Sequence, residues 1–196
     1  MTTQIHPGEV VHSMDHLVLD LAAVTGQGAY FTIYSLGLMR DVGPGRVALM
    51  RVHVDGRTVD RCFAETIGLG MRMQSRLRAM GGPTVGVDHT PIQATIRRVP
   101  TSGQGEHWVV ESADHTVTAS WSAPDRPFWL SAPAPVFHPT RDYVTTMIGY
   151  RHAELVLDGT DVPGVPYDHP GWGERFGFAF SSCHVALAET AIEARS

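Results

Sequence analysis

Apolar and polar residues alternate with period two along much of the chain. Leu17, Leu19 and Leu21 are interleaved with His16, Val18 and Asp20, and Ile92, Ala94 and Ile96 with Gln93, Thr95 and Arg97. Val117, Ala119 and Trp121 alternate with Thr116, Thr118 and Ser120. Successive side chains of an extended strand point to opposite faces, so each run predicts a strand with one buried face. Residues 69–80 follow the same pattern. Leu69, Met71, Met73, Leu77 and Ala79 share one parity, broken by Ser75, while Arg72, Gln74, Arg76 and Arg78 take the other. This predicts another strand, and Gly68 and Gly70 weigh against a helix, at about 1 kcal/mol each relative to alanine.

Turn chemistry separates these runs. Asp55-Gly56 follows the β-rich residues 47–54, and Asp158-Gly159 follows residues 154–157. Asp-Gly favours a type I′ turn, so both read as hairpins. Residues 124–139 are proline-rich and read as a connection with little regular structure, and a second Pro/Gly cluster covers residues 163–173. The C-terminus carries the helix signal: Ser182 as a cap, then residues 183–194 with Val185, Ala188 and Ile192 on one face. Many short strands with turns between them predict an all-β fold over residues 1–196. The expected form is a single antiparallel barrel of about eight strands with a short C-terminal helix. Closure removes exposed edges and leaves an interior wide enough for one small ligand.

Composition narrows the chemistry. The 196 residues are 43% hydrophobic, enough for a sizeable core, and carry a formal charge of −5, which disfavours nucleic acid or an anionic membrane as partner. All 15 basic residues are arginine. Without lysine there is no side-chain amine for Schiff-base chemistry, pyridoxal phosphate anchoring or a phosphate loop. Without asparagine there is no N-glycosylation acceptor and no Cys-His-Asn catalytic set. No apolar run approaches the ~20 residues that span a bilayer, and no signal-peptide pattern opens the chain, so a cytoplasmic protein without membrane insertion is expected. Cys62 and Cys183 read as reduced core residues. Eleven histidines raise the question of a metal, but there is no His-x-His or Cys-x-x-Cys. His12 and His16 would lie about 13 Å apart along a strand at ~3.3 Å per residue. Neither a metal nor a cofactor is expected.

Candidate chemistry begins with four Asp-His pairs, Asp15-His16, Asp88-His89, Asp114-His115 and Asp168-His169. Neighbours in an extended chain face opposite ways, so no such pair is its own acid–base dyad. Asp114-His115 reads as a hairpin tip, and Asp88-His89 as a loop between Gly86 and Pro91. Asp168-His169 differs, because Tyr167-Asp168-His169-Pro170-Gly171-Trp172-Gly173 packs an acid, an imidazole, a phenol and an indole into constrained chain. Such a loop either carries a catalytic acid beside an aromatic wall or is an aromatic-anchored turn. Asp168 and His169 are the catalytic candidates, and Tyr167 and Trp172 the substrate-binding ones. Tyr30 and Tyr34 share a parity with Thr32 and either put two phenols on the cavity side or belong to the core. Met71 and Met73 would line the barrel interior as adaptable packing. Glu65, near Cys62, is a further candidate acid.

Residues 149–175, from Gly-Tyr-Arg-His-Ala-Glu-Leu-Val-Leu-Asp-Gly to Tyr-Asp-His-Pro-Gly-Trp-Gly-Glu-Arg, resemble a segment of the lipocalin-like carotenoid 1,2-hydratases and their relatives. In that family a strand and an Asp-Gly turn lead into an Asp-His-x-Trp-Gly motif. His12 to His16 and Tyr30 to Tyr34 are similar to the opening strands of the same superfamily, which includes hydratases and natural-product cyclases of Diels–Alder type. Here Pro170-Gly171 stands where the family has one residue. The resemblance implies a lipocalin-like barrel in which Asp168, His169 and Trp172 line the pocket. It also implies two lipocalin-like halves, of which this chain would be one, leaving apolar surface to be covered in a homodimer near residues 163–196.

The resulting expectation is a cofactor-independent cyclase, or a related lyase or isomerase, acting on a hydrophobic polyene or polyketide-type molecule inside the barrel. The alternatives are a hydratase adding water to an alkene and a non-catalytic carrier. A hot-dog thioesterase or dehydratase needs a long central helix, which the strand pattern at residues 69–79 opposes.

Overall fold

The alternating runs fold as strands, and both Asp-Gly pairs make the turns predicted for them. The computed structural model describes residues 10–22, 28–39, 42–79, 85–103, 105–135, 141–169 and 180–191. The strands are β1 (Val10–Leu21), β2 (Ala29–Met39), β3 (Gly45–Val54), β4 (Arg57–Ala64), β5 (Ile92–Gln93), β6 (Thr95–Arg98), β7 (Gly105–Glu111), β8 (Thr116–Pro124), β9 (Phe128–Ala132), β10 (Arg141–Leu157), β11 (Thr160–Val162) and β12 (Cys183–Ala191). One helix, α1 (Ile67–Ala79), lies between β4 and β5. At Asp55-Gly56 φ is 52° and 70°, and at Asp158-Gly159 it is 52° and 80°, the positive values a type I′ turn requires.

The strands form one twelve-stranded, nearly closed barrel-shaped sheet, in the order β5-β4-β3-β2-β1-β12-β10-β8-β7-β6, with β9 and β11 added on β10. Its two ends are consecutive in the chain. β5 pairs in parallel with β4, β6 pairs antiparallel with β7, and Ala94 between them donates its N–H to the Ala64 carbonyl at 2.9 Å. Residues 92–98 thus draw the sheet's two edges together.

The interior is filled. Leu17, Leu19, Phe31, Ile33, Met50 and Phe63 meet Ile96, Val110, Ala119, Trp121 and Leu155 from the other side of the barrel. Phe31 and Phe63 are fully buried, and the Trp121 indole donates to the Val18 carbonyl at 2.9 Å. The space expected to hold a ligand in the middle of the barrel is occupied by the protein's own side chains.

Three expectations about elements are corrected. Residues 67–79 are helical, because Leu69, Met73 and Leu77 also repeat every four residues and bury one stripe. Thr66 caps the helix, its Oγ1 accepting the Leu69 N–H at 3.2 Å. Gly70 is small for a packing reason: a Cβ there would come within 2.6 Å of Pro91 and 3.1 Å of Ala64. The helix therefore exists, yet it packs on the outer face of the sheet against Val47, Leu49, Cys62 and Ala64. The sheet curls around side chains rather than around α1, unlike a hot-dog fold. Second, residues 183–191 form β12, not a helix; backbone pairing with β1 and β10 on its two sides overrides the helix propensity of its alanines and glutamate. Third, the proline-rich stretch contains β9, which pairs with the first half of β10. No helix among the described residues is long and apolar enough to cross a membrane.

Candidate functional site

The core takes every second residue of β1 and β2, so the residues between them face outward. These are His16, Val18 and Asp20 on β1, and Tyr30, Thr32 and Tyr34 on β2. Register sets Asp20 opposite Tyr30, Val18 opposite Thr32 and His16 opposite Tyr34. On the other flank of β1, Cys183 lies opposite Val18 and Val185 opposite His16. Tyr30 and Tyr34 thus share a face with Thr32, as their parity predicts, but it is the outer face of the sheet and not the barrel interior.

This face is polar yet largely withdrawn from water. The His16 and Tyr34 rings stack at 4.1 Å with 14° between their planes. His16 Nε2 lies 2.6 Å from Thr32 Oγ1, and the Thr32 hydroxyl donates to the Leu17 carbonyl at 2.8 Å. A hydroxyl has one proton to give, so Thr32 accepts from His16, which assigns the ring proton to Nε2. Burial, with a smaller contribution from His184, pushes the His16 imidazole down to about 3, leaving it neutral near pH 7. Burial raises both phenols, and at Tyr30 the neighbouring Tyr34 and Asp20 add to the effect. The Cys62 thiol is pushed up to about 12 and that of Cys183 higher, both by burial. Both cysteines are free and buried, so neither is an activated nucleophile.

Residues 165–169 meet this face at Asp20. Val165 and Ala22 exchange backbone hydrogen bonds at 2.9 and 3.1 Å, and Ser181 donates its N–H to the Tyr167 carbonyl at 3.0 Å. The Tyr167 N–H is taken by Ser181 Oγ at 3.0 Å, and that hydroxyl donates to the Asp20 carbonyl at 2.7 Å. Held at both backbone groups, Tyr167 donates its phenol to Asp20 Oδ2 at 2.8 Å. The His169 ring lies 6.1 Å from that of Tyr167 with 23° between planes. Burial raises the Asp20 carboxyl above the usual carboxylate range, against the opposing pull of the Tyr167 hydrogen bond and of His169. Burial, reinforced by Asp20, pushes the Tyr167 phenol up to about 12.

Of the residues singled out in the sequence, Tyr30, Tyr167 and His169 converge on Asp20, with Tyr34 one step along the same face. Asp168 does not join them. It is exposed and borders a recess of about 260 Å³ with Tyr150, Arg151, Tyr167 and Phe180. Met71 and Met73 do not line the interior, because they sit on α1: Met71 is 59% exposed and Met73 is buried under the helix. Trp172 lies outside the described residues. Asp20 belongs to no motif in the sequence; a lone carboxylate inside the apolar run Leu17 to Leu21 is its visible signal. Among the described residues no three His, Cys, Asp or Glu side chains gather as a metal would require.

Chemically, the cluster offers one carboxyl whose charged form burial disfavours, a phenol hydrogen-bonded to it, a neutral imidazole and two further phenols, beside the apolar Val18, Met147, Phe128 and Phe180. Compared with known proteins, the chain matches no family model, no curated protein and no solved structure.

Proposed function

We propose that the protein is a cofactor-independent enzyme of the lyase or isomerase type that protonates an unsaturated, hydrophobic small molecule at Asp20. The observation that carries this reading is the Asp20 carboxyl, raised by burial and hydrogen-bonded by Tyr167. Perturbed acids gathered in one place mark proton-transfer sites. The protonated carboxyl gives its proton to an alkene carbon, leaving a carbocation and a carboxylate. The Tyr167 hydroxyl stabilises that carboxylate, and the faces of Tyr30 and Tyr34 stabilise the cation. Water then adds to the cation and returns a proton to Asp20, which yields an alcohol. Attack by a second double bond, followed by loss of a proton from the new cation to the Asp20 carboxylate, yields a ring instead. A purely pericyclic cyclase would work by enclosing its substrate, and the filled interior favours the proton-transfer route over it.

The test is incubation of the purified protein with a panel of unsaturated terpenoids in D₂O, with products followed by mass spectrometry. Addition of water or uptake of deuterium is expected. Asp20→Asn should lower the rate by about 10²- to 10⁴-fold, the usual worth of a positioned general acid, and Tyr167→Phe by less. An unchanged rate in Asp20→Asn would remove Asp20 from the mechanism, and a ligand that binds but returns unaltered would favour the carrier. The proposal extends to a homodimer with residues 163–196 near the contact, for which light scattering should give twice the 21.4 kDa chain mass.

A further inference from the structure

The inward-facing residues at one end of the barrel form a row that the register alone lays out. Arg46 lies opposite Ser35, Ser35 opposite Asp15, Asp15 opposite Ala186, Ala186 opposite Thr146, and Thr146 opposite Trp129. The row crosses six strands, and all six residues line one recess of about 630 Å³, a volume typical of small-molecule sites. The next inward row consists of Ile33, Leu17, His184 and Ile148. This is the opposite face of β1 and β2 from the one that carries Asp20.

Among the described lining residues carboxylates outnumber guanidinium groups. Glu65, which also lines it, accepts the Arg46 backbone N–H at 3.0 Å and the Arg46 Nη1 at 3.4 Å. Arg46 Nη1 also donates to the Ile96 carbonyl at 2.9 Å, and the guanidinium lies 5.7 Å from the Trp108 ring centre. Arg46 and Glu65 are thereby fixed and mutually neutralised. Among the described residues Asp15 has an imidazole as its partner, with His184 Nε2 3.4 Å from its Oδ1, and keeps 57% of its side chain exposed. The described residues that line the recess thus include two carboxylates, Asp15 and Glu65, and one guanidinium, Arg46, and in the same row stands the Trp129 indole, 67% exposed.

We infer that this recess binds an organic cation, an amine or quaternary ammonium with an apolar body. The cation is held by the Asp15 carboxylate and the Trp129 indole, and the apolar body lies on Val144 and Ala186. An anionic ligand would meet two carboxylates for the single guanidinium, and that guanidinium is already paired.

The experiment is a calorimetric titration of the full chain with 2-phenylethylamine, 2-phenylethanol and 3-phenylpropionate, which share an aromatic body and differ in charge. The amine is expected to saturate, with the alcohol and the carboxylate at least about tenfold weaker. Asp15→Asn and Trp129→Ala should each weaken the amine by about tenfold, with melting temperatures recorded to confirm folding; both side chains are exposed, so the fold should tolerate the changes. Equal binding of amine and alcohol, no amine binding at about 20 mM, or full affinity in Asp15→Asn would each overturn the inference. No turnover is read, so this outcome is independent of the chemistry assigned to Asp20.

Discussion

Between pH 7 and pH 4.5 the protein is expected to lose about 2–3 kcal/mol of folding stability through His16 alone. Burial holds the folded imidazole down to about 3, whereas the unfolded chain titrates near the ordinary 6.5. As pH falls through 6.5 the unfolded state takes up a proton that the folded state refuses. The unfolded state then binds more protons, and stability falls with pH until the folded ring titrates near 3. His16→Phe keeps a ring against Tyr34 and removes the titration, so urea midpoints at pH 7 and 4.5 should lie closer together than in the parent. The same slope in both proteins would mean that His16 is not a neutral, partly buried group. Asp20 acts with the opposite sign. Its carboxyl is raised, so its contribution is present at low pH and lost as pH rises through the folded value. Asp20→Asn should therefore steepen the acid limb that His16→Phe flattens.

Trp121→Ala is expected to cost about 3–5 kcal/mol, which many single domains cannot spare. The indole is 1% exposed and packs in the main core cluster. Its removal also leaves the Val18 carbonyl without the N–H it now receives at 2.9 Å. The measurement is the urea midpoint at constant m-value. A loss below about 1 kcal/mol would mean that the barrel middle tolerates a void, and would return the interior to consideration as a ligand site.

Much of the fold is legible because the barrel rests on period two and on Asp-Gly turns. Leu17, Leu19 and Leu21, and Val117, Ala119 and Trp121, are core residues on the parity expected of them. Asp114-His115 closes the β7–β8 hairpin. Residues 69–79 mislead because their apolar positions satisfy two periods at once. The deciding facts are tertiary: Gln74 is buried and donates to the Gly86 and His89 carbonyls at 2.8 and 2.7 Å, which calls for a helix lying against the turn at residues 85–89. β12 reads as a helix because its composition suits one, and only the two flanking strands decide otherwise. Parity places Tyr30 and Tyr34 together but does not say which face is inside, since the Leu36, Val47 and Leu49 face is apolar too. For the site, Tyr167 and His169 stand out by their unusual setting. Asp20 acquires its character from a phenol 147 residues away, a contact that no local pattern encodes.

The pairing of β1 with β12 also bears on how the barrel is made. Its partners are among the most distant in the chain; Asp15 and His184 are separated by 169 positions. β1 to β4 form successive hairpin pairs that can zip locally, whereas β1 waits for its second neighbour until β12 has left the ribosome. Throughout synthesis β1 therefore presents an open edge, and Asp20 is without the Tyr167, Ser181 and Ser182 contacts it has in the finished barrel. The properties assigned to the outer-face cluster are in this sense acquired last, when the C-terminal strand docks and Ser181 and Tyr167 reach Asp20.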